Sequence, residues 1–313
     1  MIQHSKLLGL VAAPFTPMNV NGSINLDAIE GYADWLHRQG VVGAFICGTT
    51  GEGMSLTIDE RKQIAERWVA AAPRELRVIV HVGHTALADC QTLASHAAAI
   101  GGHSISGMAP FFFRPHGING LVTWCEKVAS AAPNLPFYYY HIPSMTGVSI
   151  SVAEFLQAAA PRVANLAGVK FTFEDLDDYR SCLEFAGGRF DILFGRDELL
   201  LSSLEVGARG AVGSTYNFAA PLYLSIIDAF RRGDLATASG QQELAVKMID
   251  ILVHGGVHPV ATFKWFMSRV GINCGPARLP LVTPTDQQIA EMETQLDALG
   301  VVDLLKNFMT EIR

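Results

Sequence analysis

The sequence predicts an α/β protein that forms a closed (β/α)8 barrel followed by a C-terminal extension of about three helices. Along the first three quarters of the 313-residue chain, short apolar runs rich in Val, Ile and Phe alternate with longer segments of helical spacing. The apolar runs are nearly continuous, as in a parallel sheet that is covered by helices on both faces. Eight such strand and helix units within about 230 residues indicate a closed barrel.

The predicted strands recur at intervals of roughly 20 to 35 residues, the length of a βα unit. The alternative is an open doubly wound sheet, but no GxGxxG motif follows the first predicted strand. The N-terminal segment also has weak features of a signal peptide, yet its apolar part is short and favours a first strand. The strands are expected to begin near Leu8, Ala44, Val78, Ser104, Phe137, Ala167, Ile192 and Ala211.

Helix signals lie between these strands. Apolar residues recur at helical spacing from Leu26 to Leu36, and Gly40 stands where the chain should leave that helix. Thr57 and Glu60 have the spacing of a capping box, so Thr57 is predicted to be an N-cap.

The strand signal ends after Gly233, and the remaining segment has helical patterning throughout. We therefore expect a catalytic barrel at residues 1–233 and a helical extension at residues 234–313. No linker rich in Gly, Ser or Pro separates the two parts, so the extension is expected to pack on the barrel.

The composition excludes several classes of protein. A formal net charge of −7 and a pI near 5.8 argue against nucleic acid and anionic membranes as partners. No apolar run approaches the roughly 20 residues needed to cross a bilayer. The five cysteines are widely spaced and lack a CxxC pair, which predicts reduced, mostly buried thiols in a cytoplasmic protein.

Lys170, in the segment LAGVKFTFED, is an unusual residue for an apolar strand. It is the only one of the seven lysines that we place in a strand. Burial disfavours the charged ammonium and lowers its pKa, which leaves a free amine that can attack a ketone. A lysine that pairs with a carboxylate or extends its amine to solvent is the alternative interpretation.

Tyr140 favours the catalytic interpretation of Lys170. It ends the neighbouring predicted strand, where a phenol is expected to come within hydrogen-bonding reach of the lysine and to carry protons. Tyr138 and Tyr139 are predicted to be packing residues.

Polar residues also follow other strands, at the end of the barrel where active sites lie. In GTTGEG, the hydroxyls of Thr49 and Thr50 and the backbone amides suit a substrate carboxylate. After the last two strands, polar side chains suit a polyol, although the acidic pair could instead cap the following helix. These residues are Asp197, Glu198, Ser214 and Asn217.

His81 and His84 in HVGH suggest a different class, a metal-dependent barrel hydrolase. Such a site needs further ligands from several strand ends, and the spacing offers none, so no metal is expected. A barrel that binds a ligand without catalysis is a third class, which the presence of both Lys170 and Tyr140 disfavours.

The motifs GTTGEG, YYYHIP, GVKFT and GAVGSTYN, in this order, resemble the pyruvate-dependent class I aldolases of the dihydrodipicolinate synthase and N-acetylneuraminate lyase superfamily. The resemblance covers essentially the whole chain. APFFF, LFGRDE and RLPL are more similar to the lyase branch. Membership of that branch implies reversible cleavage of N-acetylneuraminate to pyruvate and N-acetylmannosamine by a cytoplasmic homotetramer.

The resemblance also implies roles for individual residues. Lys170 would be the Schiff-base lysine and Tyr140 the proton-transfer residue, while Thr49 and Thr50 would bind the carboxylate. The covalent imine at Lys170 would replace any metal or organic cofactor, and the ligands would be a small keto-sugar acid and pyruvate. The residues expected to face the sugar portion are Thr172, Gly195, Asp197, Glu198 and Ser214.

Two positions depart from other branches. Dihydrodipicolinate synthases carry an arginine for a second carboxylate where HIPSMTG has Met145, and a thioether cannot pair with a carboxylate. Many relatives have a tyrosine where this chain has Phe111, Phe112 and Phe113, so the relay would use a Thr hydroxyl or the substrate's carboxylate. The main alternative is a lyase or hydratase for another 2-keto-3-deoxy sugar acid; dihydrodipicolinate synthase activity is disfavoured.

Overall fold

The eight apolar segments form parallel strands that close into a barrel in chain order. This arrangement is seen in a computed structural model, which describes residues 5–311. Each strand begins within one residue of its expected start. The strands are β1 (Gly9–Ala12), β2 (Gly43–Ile46), β3 (Arg77–His81), β4 (Ser104–Met108), β5 (Phe137–His141), β6 (Leu166–Phe171), β7 (Asp191–Phe194) and β8 (Gly210–Gly213).

Helices follow the strands and cover the barrel. Thr57 caps α2, since its side chain accepts from the Glu60 backbone amide and the Glu60 carboxylate accepts from the Thr57 amide, and the predicted capping box is confirmed. Gly40, with a φ of +78°, leaves the first helix as expected. The helices are α1 (Ala28–Arg38), α2 (Ile58–Ala71), α3 (Leu87–Ala99), α4 (Gly117–Ala129), α5 (Pro143–Thr146), α6 (Val152–Ala159), α7 (Leu176–Gly188), α8 (Leu200–Glu205) and α9 (Tyr216–Arg231).

The C-terminal extension is helical and packs on the barrel, as expected. It has four helices within the described residues, where about three were expected, because Gly300 adopts a left-handed φ of +71° and separates the last two. The first of them packs against α9. They are α10 (Leu235–Val253), α11 (Pro259–Val270), α12 (Asp286–Leu299) and α13 (Val301–Glu311).

The expected boundary at residues 233 and 234 falls in the turn between α9 and α10. The division into two units stays a prediction. Residues 1–4 and 312–313, which belong to those expected units, lie outside the described residues.

Alternation along the strands produces two cores. In β5, Tyr138 and Tyr140 point into the barrel, whereas Tyr139 points outward and lies 4.3 Å, between ring centroids, from Phe155 of α6. Both faces of each strand are therefore buried, which explains the nearly continuous apolar runs. Tyr138 and Tyr139 are buried packing residues, as predicted.

All five cysteines are free and buried, as the sequence predicts. Burial raises the pKa of the Cys47 and Cys90 thiols to about 11. The described part of the chain contains no helix with the length and apolar character to span a membrane.

Candidate active site

Lys170 lies inside the barrel near the carboxyl end of β6, with only 5% of its surface exposed. Its Nζ lies 4.1 Å from the ring centroid of Phe45 and 4.3 Å from that of Tyr140. These rings take the place of water around the amine. Burial lowers the pKa of Lys170 to about 7, although the nearby Asp197 opposes the shift. In a large fraction of the molecules, Lys170 is therefore an uncharged amine at neutral pH.

Tyr140 pairs in register with Lys170 across β5 and β6. The amine contacts the face of its ring, and the phenol hydroxyl lies 3.3 Å from Oγ1 of Thr49. Burial raises the pKa of Tyr140 to about 12, with the hydrogen bond from Thr49 acting in the opposite direction. The phenol is thus protonated at neutral pH and can donate a proton.

His81 completes the aromatic wall beside Tyr140. Its ring stacks on Phe45 at 5.6 Å and meets Tyr140 edge to face at 5.5 Å, measured between centroids. Burial lowers the pKa of His81 well below its usual value, so the imidazole is neutral. His84 accepts a hydrogen bond from the backbone amide of Ala86. Within residues 5–311, no group of three or more His, Cys, Asp or Glu side chains could hold a metal ion.

Thr49 and Thr50 lie in a tight turn after β2, here named the Thr49 loop (residues 47–53). Cys47 and Glu52, at the two ends of the turn, adopt left-handed conformations with φ of +56° and +55°. A Cβ at Gly53 would lie 1.9 Å from the Cys47 carbonyl oxygen, so only glycine permits this closure. The turn places both threonines at the barrel mouth.

Asp197 lies in the segment after β7, here named the Asp197 loop (residues 195–199). Its Oδ2 accepts hydrogen bonds from the backbone amide and the hydroxyl of Thr215, at 2.9 and 2.6 Å. Burial raises the pKa of Asp197 to about 6, and the charge of Glu198 adds to this effect. Neither acid caps a helix through its side chain, so the capping interpretation is wrong.

Glycines allow the polar groups to approach one another here. A Cβ at Gly213 would lie 2.0 Å from Oδ1 of Asp197, and one at Gly195 would lie 2.1 Å from Oγ1 of Thr172. Thr172 follows Lys170 by two residues, so both side chains point into the barrel. Gly195, directly after β7, and Gly213 in β8 therefore leave room for these polar side chains.

These residues line one cavity of about 360 Å³ at the carboxyl ends of the strands, a size that suits a small metabolite. The structure brings together nine of the ten residues that we singled out for substrate or catalysis. They are Thr49, Thr50, Tyr140, Lys170, Thr172, Gly195, Asp197, Glu198 and Ser214.

Asn217 does not belong to this wall, so its expected sugar-facing position is wrong. It is fully buried behind β1 and α1. Its amide donates to the carbonyls of Ala13 and Ser214, both at 2.7 Å, and accepts from the Tyr32 hydroxyl at 2.8 Å. The side chain closes the barrel instead of facing ligand.

Sequence reasoning missed the contribution of the C-terminal helices to the cavity. The sequence pattern of this segment indicates helices, and nothing in it distinguishes core residues from residues that line a site. Met145 also lines the cavity, where it offers a thioether and no charge. The lining residues from the C-terminal extension are Ile249, Val253, His258, Pro259, Val260 and Phe263.

The phenylalanines after β4 take different positions. Phe111 packs against the interior core, whereas Phe112 and Phe113 are 76% and 85% exposed and meet edge to face. Thr49 is therefore the hydroxyl that contacts Tyr140 within this chain.

The protein has a (β/α)8 barrel with a buried amine and a protonated phenol in a cavity at the strand ends, where the active sites of barrel enzymes lie. These features place it in the class of barrel enzymes. The chain belongs to the dihydrodipicolinate synthetase family, which matches residues 6–299. The resemblance read from the motifs is thereby confirmed.

Individual relatives are similar over nearly their whole length. The chain is 45% identical over 299 residues to the N-acetylneuraminate lyase of Rattus norvegicus, covering 94% of this chain and 93% of the rat protein. It superposes on the N-acetylneuraminate lyase of Proteus mirabilis with a TM-score of 0.91 and 42% identity, covering 94% and 99% of the two chains. A catalytic lysine mutant of the sialic acid aldolase from Ruminococcus gnavus gives a TM-score of 0.90 at 25% identity, covering 97% and 99%.

Proposed function

We propose that the protein is an N-acetylneuraminate lyase, which reversibly cleaves N-acetylneuraminate to pyruvate and N-acetylmannosamine. The observation that carries this proposal is the pairing of Lys170 with Tyr140 at the base of the cavity. The names of the rat and Proteus mirabilis relatives support it. A lysine described as catalytic in the Ruminococcus gnavus aldolase supports the role of Lys170.

The reaction begins with the free amine of Lys170. Its lone pair attacks the C2 ketone of the open-chain sugar acid and forms a carbinolamine. Tyr140, whose phenol is protonated at neutral pH, supplies the proton with which the hydroxyl of this adduct leaves as water. The product is an iminium that joins Lys170 to C2.

The iminium then accepts electrons from the bond that breaks. The C4 hydroxyl loses its proton, the C3–C4 bond breaks, and its electron pair forms the enamine of pyruvate while C4 becomes the aldehyde of N-acetylmannosamine. Protonation at C3 and addition of water release pyruvate and regenerate the amine. The Tyr140 hydroxyl and Thr49, 3.3 Å apart, form the proton relay. The imine itself serves as the electron sink, so the proposed mechanism uses no metal or organic cofactor.

The two loops bind opposite ends of the substrate in this proposal. Thr49 and Thr50 hold the carboxylate next to C2, while the Asp197 loop accepts hydrogen bonds from sugar hydroxyls. Thr172 and Ser214 contribute further hydroxyls to the sugar side. Met145 offers no charge at the position where synthases carry an arginine for a second carboxylate, which disfavours the synthase reaction.

Borohydride reduction in the presence of pyruvate tests the mechanism. We expect peptide mass spectrometry to locate a reduced pyruvyl adduct on Lys170. Lys264, which is also buried and has a lowered pKa, provides the internal control because it pairs with Glu52. An adduct on Lys264, or none on Lys170, would sink the mechanism.

A substrate panel tests the choice of sugar. The same amine and phenol would act on another 2-keto-3-deoxy sugar acid, because the two reactions differ only at the Asp197 side of the cavity. We expect kcat/KM for pyruvate release to be at least about tenfold higher with N-acetylneuraminate than with acids that lack the acetamido group. A higher kcat/KM with one of the other acids would instead identify the protein as a lyase or hydratase for another 2-keto-3-deoxy sugar acid.

We further propose that the enzyme acts in the cytoplasm as a homotetramer. The buried free thiols support a reducing compartment. Light scattering after size-exclusion chromatography measures the assembly, and a mass other than four chains would contradict this part of the proposal.

A further inference from the structure

The C-terminal helices contact both loops that carry the substrate-binding residues. One contact is ionic and reaches the Thr49 loop, and the other is an amide contact that reaches the Asp197 loop. Neither contact is part of the chemistry described above. Both are buried, and each joins a helix of the extension to only one of the two loops.

The first contact centres on Glu52 in the Thr49 loop. Its Oε1 accepts from Nζ of Lys264 in α11 at 2.8 Å, and its Oε2 accepts from the backbone amide of Arg278 at 2.6 Å. The side chains of Glu52 and Lys264 are 0% and 1% exposed. The pair is thus fully removed from water and depends on both partners being present.

Glu52 determines the shape of the turn that holds Thr49. Its left-handed backbone, with a φ of +55°, is unfavourable for a residue other than glycine and persists only where surrounding contacts impose it. The amide of Glu52 donates to the carbonyl of Thr49 at 3.0 Å. A shift of Glu52 is therefore expected to move Thr49, to which Glu52 is joined by this hydrogen bond.

The second contact is made by Gln242 of α10. Its Nε2 donates to the carbonyls of Asp197 and Glu198, at 3.2 and 3.1 Å. Its Oε1 accepts from the backbone amide of Leu201 at 3.0 Å. One buried amide thus satisfies three backbone groups of the Asp197 loop and of the helix that follows it.

We propose that the C-terminal helices position the two halves of the active site independently, the Lys264–Glu52 pair holding the pyruvate-binding Thr49 loop and Gln242 holding the sugar-binding Asp197 loop. The assignment of substrate halves rests on the proposed function. Lys264, Glu52 and Gln242 are positioning residues, because they act through the loops and line up groups that touch substrate.

Independent positioning predicts separable kinetic effects. Gln242→Met keeps the length of the side chain and removes all three hydrogen bonds. The double variant Glu52→Gln/Lys264→Met removes both buried charges together, which avoids an unpaired ion that could prevent folding. The matched controls are Gln287→Met and Lys247→Met, the same changes at exposed positions of α12 and α10.

Initial rates in the condensation direction give the KM of each substrate separately. We expect Gln242→Met to raise the KM of N-acetylmannosamine about tenfold while the KM of pyruvate changes by less than about twofold. The double variant should raise the KM of pyruvate about tenfold and change the KM of N-acetylmannosamine by less than about twofold. It should also raise about tenfold the pyruvate concentration that gives half-maximal borohydride trapping. Equal shifts of both KM values in either variant, or no shift in either, would overturn the proposal.

Hydrogen exchange separates this proposal from the proposed function, since it requires no substrate. We expect amides of residues 196–203 to exchange about tenfold faster in Gln242→Met, and those of residues 47–56 in the double variant. If the unmodified protein makes no sugar acid, the proposed function fails, and this crossed exchange pattern still supports the positioning. Uniform acceleration, or none, overturns it.

Discussion

Lys170 opposes folding, yet the proposed mechanism requires it. Its amine lies against the rings of Phe45 and Tyr140, and within the described residues it forms no salt bridge that would offset the lost hydration. Burial lowers its pKa from 10.5 to about 7. Folding therefore disfavours the ammonium, and the same burial yields the free amine that the proposed mechanism uses.

Lys170→Met should abolish borohydride trapping of pyruvate and stabilise the protein by about 1–3 kcal/mol at pH 7. The folded pKa lies below the unfolded value, so the lysine destabilises the native state as pH falls from 10.5 to about 7. The stability difference between variant and parent should therefore shrink as pH rises from 7 towards 10.5. Urea unfolding at several pH values measures it, and a variant less stable than the parent at pH 7 would contradict this account.

Tyr140→Phe should reduce kcat by about 10²- to 10³-fold and leave KM nearly unchanged. The ring that packs against Phe45 and the lysine amine remains, and only the hydroxyl beside Thr49 is lost. Tyr139→Phe, one residue away on the outer face of β5, is the control and should keep nearly full activity. Steady-state kinetics checks both, and equal losses would show that Tyr140 has no special role in proton transfer.

Activity should increase with pH through about pH 7. The amine of Lys170 must lose its proton before it attacks, and its pKa is about 7. Pre-steady-state rates of trapping with pyruvate measure this step apart from the sugar. A rate that falls between pH 6 and pH 8 would refute the assignment of the amine as the nucleophile.

At the scale of elements, small residues in the strands determine where functional groups lie. Gly213 at the end of β8 leaves space for the Asp197 carboxylate, and a methyl group there would lie 2.0 Å from Oδ1. Backbone and side chain must therefore separate if this glycine is replaced. The contribution of Gly213 in β8 to the site is thus the space that the Asp197 side chain occupies.

Gly213→Ala should raise the KM of the sugar substrate about tenfold, because Asp197 must leave its bonds to Thr215. Gly240→Ala in α10 is the matched control, since a Cβ there meets no atom within 4 Å. That control should be unchanged in activity and slightly stabilised, by about 0.5–1 kcal/mol. Equal kinetics in the two variants would show that Asp197 tolerates the methyl group.

The sequence predicts strands and early helices well because their patterns are local. Apolar runs and the Thr57 capping box depend only on neighbouring residues, and their starts agree with the structure. The Lys170 and Tyr140 pair could also be found, since adjacent parallel strands in a barrel bring their ends together. These inferences require no knowledge of side-chain contacts.

Features that depend on distant contacts were not predictable in this way. Asn217 looked like a donor at a strand end, but two of its three partners, Ala13 directly after β1 and Tyr32 of α1, lie about 200 residues away along the chain. Gln242 has no local sequence signal that separates it from any other polar residue of a helix. Only the packing of α10 on the barrel shows that it contacts the Asp197 loop.

At the scale of the whole molecule, Arg278 joins segments that are far apart in sequence. Its guanidinium binds both carboxylate oxygens of Glu60, at 2.7 and 2.8 Å, and donates to the carbonyls of Gly22 and Ser55. The segment after α11 is thereby held against the barrel at the start of α2. A bidentate pair with two further carbonyl acceptors is stronger than a usual surface pair.

Arg278→Met should lower the free energy of unfolding by about 1 kcal/mol at pH 7, a value kept small because the pair is partly exposed. The hydrogen bonds from Arg278 lower the pKa of Glu60 from 4.5 to about 2. This stabilisation is present above pH 4.5 and is lost as pH falls towards 2. Urea unfolding at pH 7 and pH 3 should therefore show a smaller difference at the lower pH. Arg162→Met, at a more exposed pair with Glu126, is the control.

The five buried thiols give the molecule a set of built-in reporters of its own opening. They belong to separate places along the chain, namely Cys47, Cys90, Cys125, Cys182 and Cys274. Because burial keeps them protonated and inaccessible, they should not react with an alkylating reagent until the surrounding segment opens. The order in which mass spectrometry finds them alkylated then becomes a map of local stability, obtained without a single engineered label.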